Sequence, residues 1–421
     1  MADMRPPRDL PDVPGVPGAP GVRPRSRFGR SVKTVLLLLL LAWLSLAFWN
    51  FARPRPPGTH VVSLWTRLAD SDIDFLYESP QHSGILASES SIIDRAEELI
   101  VLDRSPIAPG LCQHLLARKR ARPNLKIVLI TDLGDETFGA ARSQYLESLE
   151  RAGIIVVRWS HMLSSNPDQR QLIVADDGSG GWASLVDSGS SQNLGGRAAL
   201  MVRGRLAQDI VASELQIAAW STDDDRLPAA PQMYGRGVGS VDARFLTEGA
   251  IGGALLDAIA AAGGGDRIYI AACTLSDRRL IAALLRAAAR GAEAQILLDP
   301  NRTPNPAAAG ELLRDGGGHV AVRWNPIGGP IRTSLLIVRH RADLWMNLGS
   351  ADFTRRNRSD LNLAAGVELR MPARAAPARA AADYFANAWS NAAGYAEYAD
   401  ESALAYWRYR LVEATGLSSY Y

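Results

Sequence analysis

The sequence predicts an α/β protein made of two pseudo-symmetric α/β halves packed together, preceded by one N-terminal transmembrane helix. Three observations carry this expectation. Short aliphatic runs that end in an acid, such as KIVLITD (126–132) and AQILLD (294–299), alternate with helix-length amphipathic stretches, the pattern of buried parallel strands. The same series of elements returns after roughly 160 to 170 residues, too long a period for a solenoid and suited to two fused α/β units. Residues 34–52, TVLLLLLLAWLSLAFWNFA, are uncharged and about long enough, as a helix, to cross a hydrocarbon core.

In chain order, residues 1–30 are rich in Pro, Gly and Arg and nearly free of aromatics, so they cannot repay the entropy of ordering and read as a disordered tail. Residues 31–52 form the expected anchor, with Trp49 and Phe51 at one interface. A cleaved signal peptide is the rival reading; its small-residue cleavage site is poor because Asn50 precedes Ala52. Arg5, Arg8, Arg23, Arg25, Arg27, Arg30 and Lys33 precede the span and only Arg53 and Arg55 follow closely, so the tail is expected to be cytoplasmic and the body extracytoplasmic, periplasmic in a bacterium. RPRPPG (53–58) is a stiff spacer.

The first half is expected over 59–225 and the second over 226–394, followed by an aromatic C-terminal helix at 395–421 that carries Tyr395, Tyr398, Tyr406, Trp407 and Tyr409. Helices are expected at 91–98, 109–120, 255–262 and 278–290, and strands at 99–103, 126–132, 267–272 and 294–299. Further on, 153–158 (GIIVVR) corresponds to 318–323 (GHVAVR), 171–176 (QLIVAD) to 334–339 (SLLIVR), and the Gly189-Ser190 turn to Gly349-Ser350.

A chain of 421 residues, 47% of them hydrophobic, can bury one large two-part core, and a net charge of +2 gives no argument for a nucleic-acid partner. Cys112 and Cys273 match no C-x-x-C spacing and read as small buried hydrophobes, although a disulfide between them stays open.

The most informative stretch is WMNLGSADFTRRNRSDLN (345–362), entered from the apolar run 335–338. Two β-type runs flank a polar turn at 339–343, and the second delivers Gly349-Ser350 into a loop. Gly349 allows close backbone approach, and Ser350 with its neighbours offers the donors that phosphate contact requires; an ordinary hairpin and turn explains the spacing equally well. GSADFTRRN followed by DLNL resembles the segment after the second catalytic motif of the phospholipase D superfamily, H-x-K-x-x-x-x-D followed by G-S-x-N. VRGRLAQDIVASELQIAAW (202–220) and AAADYFANAWSN (380–391) are similar to that family's tails, so the resemblance covers about 92–391.

The resemblance implies one active site assembled from two motifs. One His attacks phosphorus, the other protonates the leaving alkoxide, paired Lys neutralise the nonbridging oxygens, and Asp orients imidazole; no metal or other cofactor is needed. The corresponding slots here hold Gln169, Gln171 and Asp176 in the first half and Arg332, Ser334 and Arg339 in the second, so only Asp176 matches. Asn193 falls one place late, Asp352 stands for the family's Asn, and Ala364 replaces an acid that often follows. The chain has three lysines, Lys33, Lys119 and Lys126, and no H-x-K anywhere. Of its six histidines, His161 and His340 lie nearest the motifs in sequence.

Arginines cluster there instead, at Arg332, Arg339, Arg355 and Arg356. A guanidinium binds phosphate bidentately without acting as nucleophile or proton donor, although the same residues can form a solvated loop. With Ser190, Asn193 and Ser350 they make up the expected substrate-binding set. Three classes follow: a membrane-anchored, catalytically degenerate member that binds a phosphodiester or phospholipid headgroup; an active phospholipase D or cardiolipin-synthase-like phosphatidyltransferase using displaced residues; and an assembly scaffold acting through its C-terminal aromatics.

Overall fold

The computed structural model describes residues 27–51, 60–79, 82–132, 140–159, 168–189, 196–231, 238–302, 304–325, 332–394, 404 and 407–411. Ser190, Asn193, His161, Tyr395, Tyr398 and Tyr406 lie outside them.

The apolar run is helical, α1 (Arg27–Phe51), with Leu36 to Leu41 about half exposed or more. Among the described residues no helix is long and apolar enough to cross a membrane, so the expected anchor stands on the sequence alone. The chain forms two compact units, one ending at Phe48 and the other beginning at Trp49.

The body opens with β1 (Thr66–Leu68), β2 (Ile73–Ser79), β3 (His82–Ser83), α2 (Gly84–Arg95), β4 (Leu99–Arg104), α3 (Pro109–Ala121), β5 (Lys126–Asp132), α4 (Ala140–Arg151), β6 (Ile155–Trp159), β7 (Gln171–Asp176), β8 (Trp182–Asp187), β9 (Ala198–Arg203) and α5 (Arg205–Ser221). It continues with β10 (Val241–Thr247), α6 (Gly249–Ala261), β11 (Arg267–Ala272), α7 (Arg278–Ala289), β12 (Glu293–Leu298), α8 (Asn305–Asp315), β13 (Val320–Trp324), β14 (Ser334–His340), β15 (Asp343–Gly349), α9 (Arg355–Arg358), β16 (Ala365–Pro372), α10 (Ala376–Ser390) and β17 (Ala393–Gly394).

Two mixed sheets result. One runs β3-β2-β9-β8-β7-β4-β5-β6 and the other β1-β10-β16-β15-β14-β11-β12-β13-β17. Without the short edge strands β3, β1 and β17 the two orders are the same, strand for strand. In each sheet three strands are parallel (β4-β5-β6; β11-β12-β13), and the antiparallel neighbour that follows, β7 or β14, is the one carrying the motif slots.

Core packing follows the residue pattern. β4, β5 and β7 are buried on both faces, which is why they read as continuous apolar runs rather than alternations. One core lies between the sheets and includes Val101, Leu172 and Val186 from the first with Leu297, Leu335 and Val367 from the second. The outer faces are covered by α2, α3 and α4 on one side and by α6, α7 and α8 on the other. The halves also exchange cover: Tyr384 of α10 sits 5.6 Å from the Phe75 ring and 5.5 Å from the Tyr77 ring, both on β2.

Helix starts differ most from expectation. α2 begins at Gly84, seven residues before the expected 91, because Ile85, Ile92 and Ile93 are buried together and the Leu86 N–H donates to Glu78 Oε1 at 3.0 Å. α6 begins at Gly249, whose N–H donates to Asp360 Oδ1 at 2.6 Å. Both acceptors are remote in sequence, so no local capping pattern announces either start.

Both cysteines are free and buried, so the disulfide left open by the sequence is absent. At the C-terminus Tyr409 is fully buried, its hydroxyl donating to Ser276 O at 3.2 Å, whereas Trp407 is 68% exposed. The aromatics there split between core and surface.

Candidate functional site

The residues before β7 and β14 meet the opposite half. The Gln169 N–H donates to Leu363 O at 2.8 Å, and Asn362 Nδ2 donates to Gln169 Oε1 at 3.1 Å. Reciprocally, the Arg332 N–H donates to Gly196 O at 3.1 Å, and Thr333 Oγ1 donates to the same oxygen at 2.6 Å. Gly189 of the first-half turn packs on the Arg332 stem, and a Cβ placed there would lie 2.6 Å from Arg332 Cβ. The structure therefore places both motif starts and Gly189 on the seam between the two halves.

The opposite ends of the motif strands are elsewhere. β7 places Asp176 five residues beyond Gln171, about 17 Å along an extended strand. There the Asp176 carboxylate accepts from the backbone N–H groups of Glu97, Glu98 and Leu99 at 2.8–2.9 Å, fixing the start of β4. Arg339 and His340 are exposed at the corresponding end of β14, where His340 Nδ1 pairs with Asp266 at 2.6 Å. Arg339 cannot join Arg332 in holding one phosphate, nor can His340 act at the seam: both stand a strand's length away.

The second-half side of the seam is a compact polar cluster. Ser334 Oγ lies 3.5 Å from Asp352 Oδ1, and Arg302 Nε donates to Cys273 Sγ at 3.2 Å. Burial holds the Asp352 carboxyl above the ordinary carboxylate range, with Arg302 and Arg332 offsetting part of that rise. Burial, reinforced by Asp352, pushes the Cys273 thiol up to about 12, so it is neutral and a poor nucleophile near pH 7. Asp299 is buried at the end of β12, its Oδ1 accepting from the Asn301 N–H at 2.9 Å. Arg332 itself is half-buried, and its Nε has no hydrogen-bond partner among the described residues.

The first-half counterpart is closed. Gln171 Nε2 donates to Ser105 O at 2.6 Å, and Arg104 and Arg197 share the Asp187 carboxylate at 3.2 and 3.3 Å, all three charged side chains fully buried. A ligand cannot reach these guanidinium groups.

Much of the GSADFTRRNRSDLN stretch proves architectural. Phe353 is core, Thr354 caps α9, Arg356 is fully buried with its Nε on Asn362 Oδ1 at 3.0 Å, and Asp360 caps α6. Arg356 is thus withdrawn from the expected phosphate-binding set, while Arg355 stays half-exposed. Gly349 serves close strand packing, since a Cβ there would sit 2.1 Å from Ala365 O, and Ser350 Oγ accepts from the Ala365 N–H at 3.1 Å.

Sequence reasoning missed Arg302 and the cleft position of Cys273. The available signal was the repeat: Asp299 ends its strand as Asp132 ends its own, and the loop that follows carries Arg302. Among the described residues no group of His, Cys and carboxylate side chains is arranged to hold a metal.

Residues 255–389 match the family model described as cardiolipin synthase, PLD-like domain. No curated protein sequence matches the chain. In fold, it is similar to the crystal structure of phosphatidylserine synthase from Haemophilus influenzae Rd KW20, with a TM-score of 0.61 at 11% identity over 85% of this chain and 96% of that one. It is also similar to polyphosphate kinase from Porphyromonas gingivalis, with a TM-score of 0.53 at 13% identity over 83% of this chain and 53% of that one. The second half thus matches a phospholipase D-like family model over residues 255–389, and the duplicated sheet order gives the body a fold similar to that of phosphatidylserine synthase.

Proposed function

We propose that this protein is a membrane-anchored, catalytically degenerate phospholipase D-like protein that binds a phosphodiester or phospholipid headgroup at the seam without turning it over. The observation that carries this is the content of the slots. Gln169, Gln171, Arg332 and Ser334 supply neither imidazole nor ammonium, Cys273 is held neutral, and Arg332 is partly exposed with a buried Nε that has no hydrogen-bond partner among the described residues. A guanidinium can take a phosphate oxygen but cannot form a covalent phosphoryl intermediate. Arg302 and Arg332 are partly neutralised by Asp352, so binding is weak.

The rival reading is an active phosphodiesterase or phosphatidyltransferase using displaced residues. One observation favours it: Asp168, next to Gln169, is raised to about 7 by burial, a value suited to a general acid. Its side chain is nearly enclosed and faces Asp103 and Arg170, which argues against contact with substrate.

The experiment is a rapid quench of the purified protein with a labelled phosphodiester, with equilibrium binding measured in parallel. Weak binding that falls in Arg332→Ala, with no turnover and no labelled protein, supports the reading. Turnover, transphosphatidylation or an acid-labile phosphoprotein overturns it. The topology is part of the same proposal: the basic excess before residue 34 favours a cytoplasmic tail and an extracytoplasmic body, and protease added outside the membrane should digest the body and spare the tail.

A further inference from the structure

Arg170 lies between the slots Gln169 and Gln171 and is fully buried. Its Nη1 donates to Glu214 Oε1 of α5 and its Nη2 to Glu248 Oε1 of the second half, both at 2.7 Å, and its backbone N–H donates to Asp168 Oδ1 at 3.0 Å. Asp103, near the end of β4, is fully buried beside Asp168, Glu214 and Arg170, whose charges act on it. The Asp168 N–H in turn donates to Asp132 Oδ2 at 2.8 Å. The other charged neighbour, Arg104, already serves Glu89 and Asp187.

Four carboxyls, Asp103, Asp168, Glu214 and Glu248, therefore surround the Arg170 guanidinium, which also reaches Ser213 Oγ at 3.4 Å. Among the described residues no donor reaches either oxygen of Asp103, whose neighbours are themselves carboxyl groups. Two carboxyls can hydrogen-bond only if one of them carries a proton. The same cluster links the halves: Arg170 and Gln169 of the first bond Glu248 and Leu363 of the second, while Glu248 is held within its own half by the Ala364 N–H on its Oε1 at 3.2 Å and by its own N–H on Ala364 O.

We propose that this cluster is a proton-held joint between the two halves, in which Asp103 stays protonated and donates to Asp168 or Glu214, and whose deprotonation loosens the seam. Nothing in it depends on the anion-binding reading of Arg332.

The titration agrees in sign. Burial, reinforced by Asp168 and Glu214 and opposed by Arg170, raises Asp103 well above the ordinary carboxylate value. Burial, opposed by Asp103 and Arg170, raises Asp168 to about 7, and burial opposed by Arg170 raises Glu248 to about 7. Groups whose folded-state values are raised give stability that is complete below the unfolded value and is lost as pH rises through the folded one. The unfolding constant therefore grows by up to about tenfold per pH unit for each such proton, between roughly pH 4 and pH 7 for Asp168 and Glu248, and Asp103 contributes in the same direction.

The test is thermal unfolding of the purified full chain between about pH 5.5 and about pH 8.5, with infrared detection of protonated carboxyl groups. The midpoint should fall by several degrees across that range as the protonated-carboxyl band disappears. Asp103→Asn, whose amide mimics the protonated acid, should flatten the slope and remove part of the band; Glu248→Gln is the second variant if the first does not fold. The amides of Gln169 and Ala364, corrected for intrinsic exchange, should lose protection from hydrogen exchange at high pH ahead of those of β5 and β12. A flat midpoint, a slope unchanged in both variants, absence of the band, or exchange at the seam no faster than in the sheets overturns the proposal.

Discussion

Gly349→Ala tests whether the second Gly-Ser turn is defined by packing rather than by ligand contact. A Cβ at this position meets Ala365 O at 2.1 Å and Gly366 Cα at 2.5 Å, where ordinary contact begins at 3.4 Å. The obstacle is backbone on both counts, so no side chain can rotate away; β15 and β16 must part by about an ångström where Gly349 faces Gly366. Two hydrogen bonds span that point, Ser350 N–H to Ala365 O at 2.8 Å and Ala365 N–H to Ser350 Oγ at 3.1 Å. Overpacking costs about 1–3 kcal/mol and a weakened hydrogen bond about 1 kcal/mol, giving a loss of roughly 3 kcal/mol. For a chain of this size that is a fall in Tm of about 3–4 °C. The matched control is Gly253→Ala, an exposed glycine inside α6 with nothing within 4 Å of its Cβ, where helix propensity predicts a gain of about 1 kcal/mol. Scanning calorimetry on both variants decides the matter, and equal midpoints would refute the packing argument.

Asp187→Asn keeps the shape but removes the charge shared by the fully buried Arg104 and Arg197, so a loss of about 3–5 kcal/mol is expected in denaturant titration. A loss no larger than that of an ordinary surface substitution would show that the pair is hydrated in solution. Arg332→Ala should weaken phosphodiester binding severalfold in equilibrium dialysis while Arg339→Ala leaves it unchanged, because the two stand at opposite ends of one strand; equal weakening contradicts the seam as the binding place. Cys273, raised to about 12 by burial, should resist iodoacetamide at neutral pH until the protein is unfolded, and rapid alkylation of the native chain would restore it as a candidate nucleophile.

The sequence by itself determined the strands and their duplication. KIVLITD and AQILLD are buried on nearly every residue, so the continuous apolar run that identifies a parallel core strand is fixed by local composition, and the shared sheet order follows from the shared series of elements. It also determined that no H-x-K occurs, which needs no coordinates. The starts of α3 and α7 were legible at 109 and 278, but those of α2 and α6 were not, because Glu78 and Asp360 bond their first turns from outside the helix.

Only the tertiary structure decided where each arginine lies. Arg332, Arg339 and Arg356 are alike in the sequence, yet one lies at the seam, one at the far end of its strand and one in the core. Rise per residue and side-chain direction separate them, and neither is a property of composition. The ring of carboxyls around Arg170 was equally hidden, because Asp103, Asp168, Glu214 and Glu248 come from four separate places in the chain and acquire their shared proton only where packing excludes water.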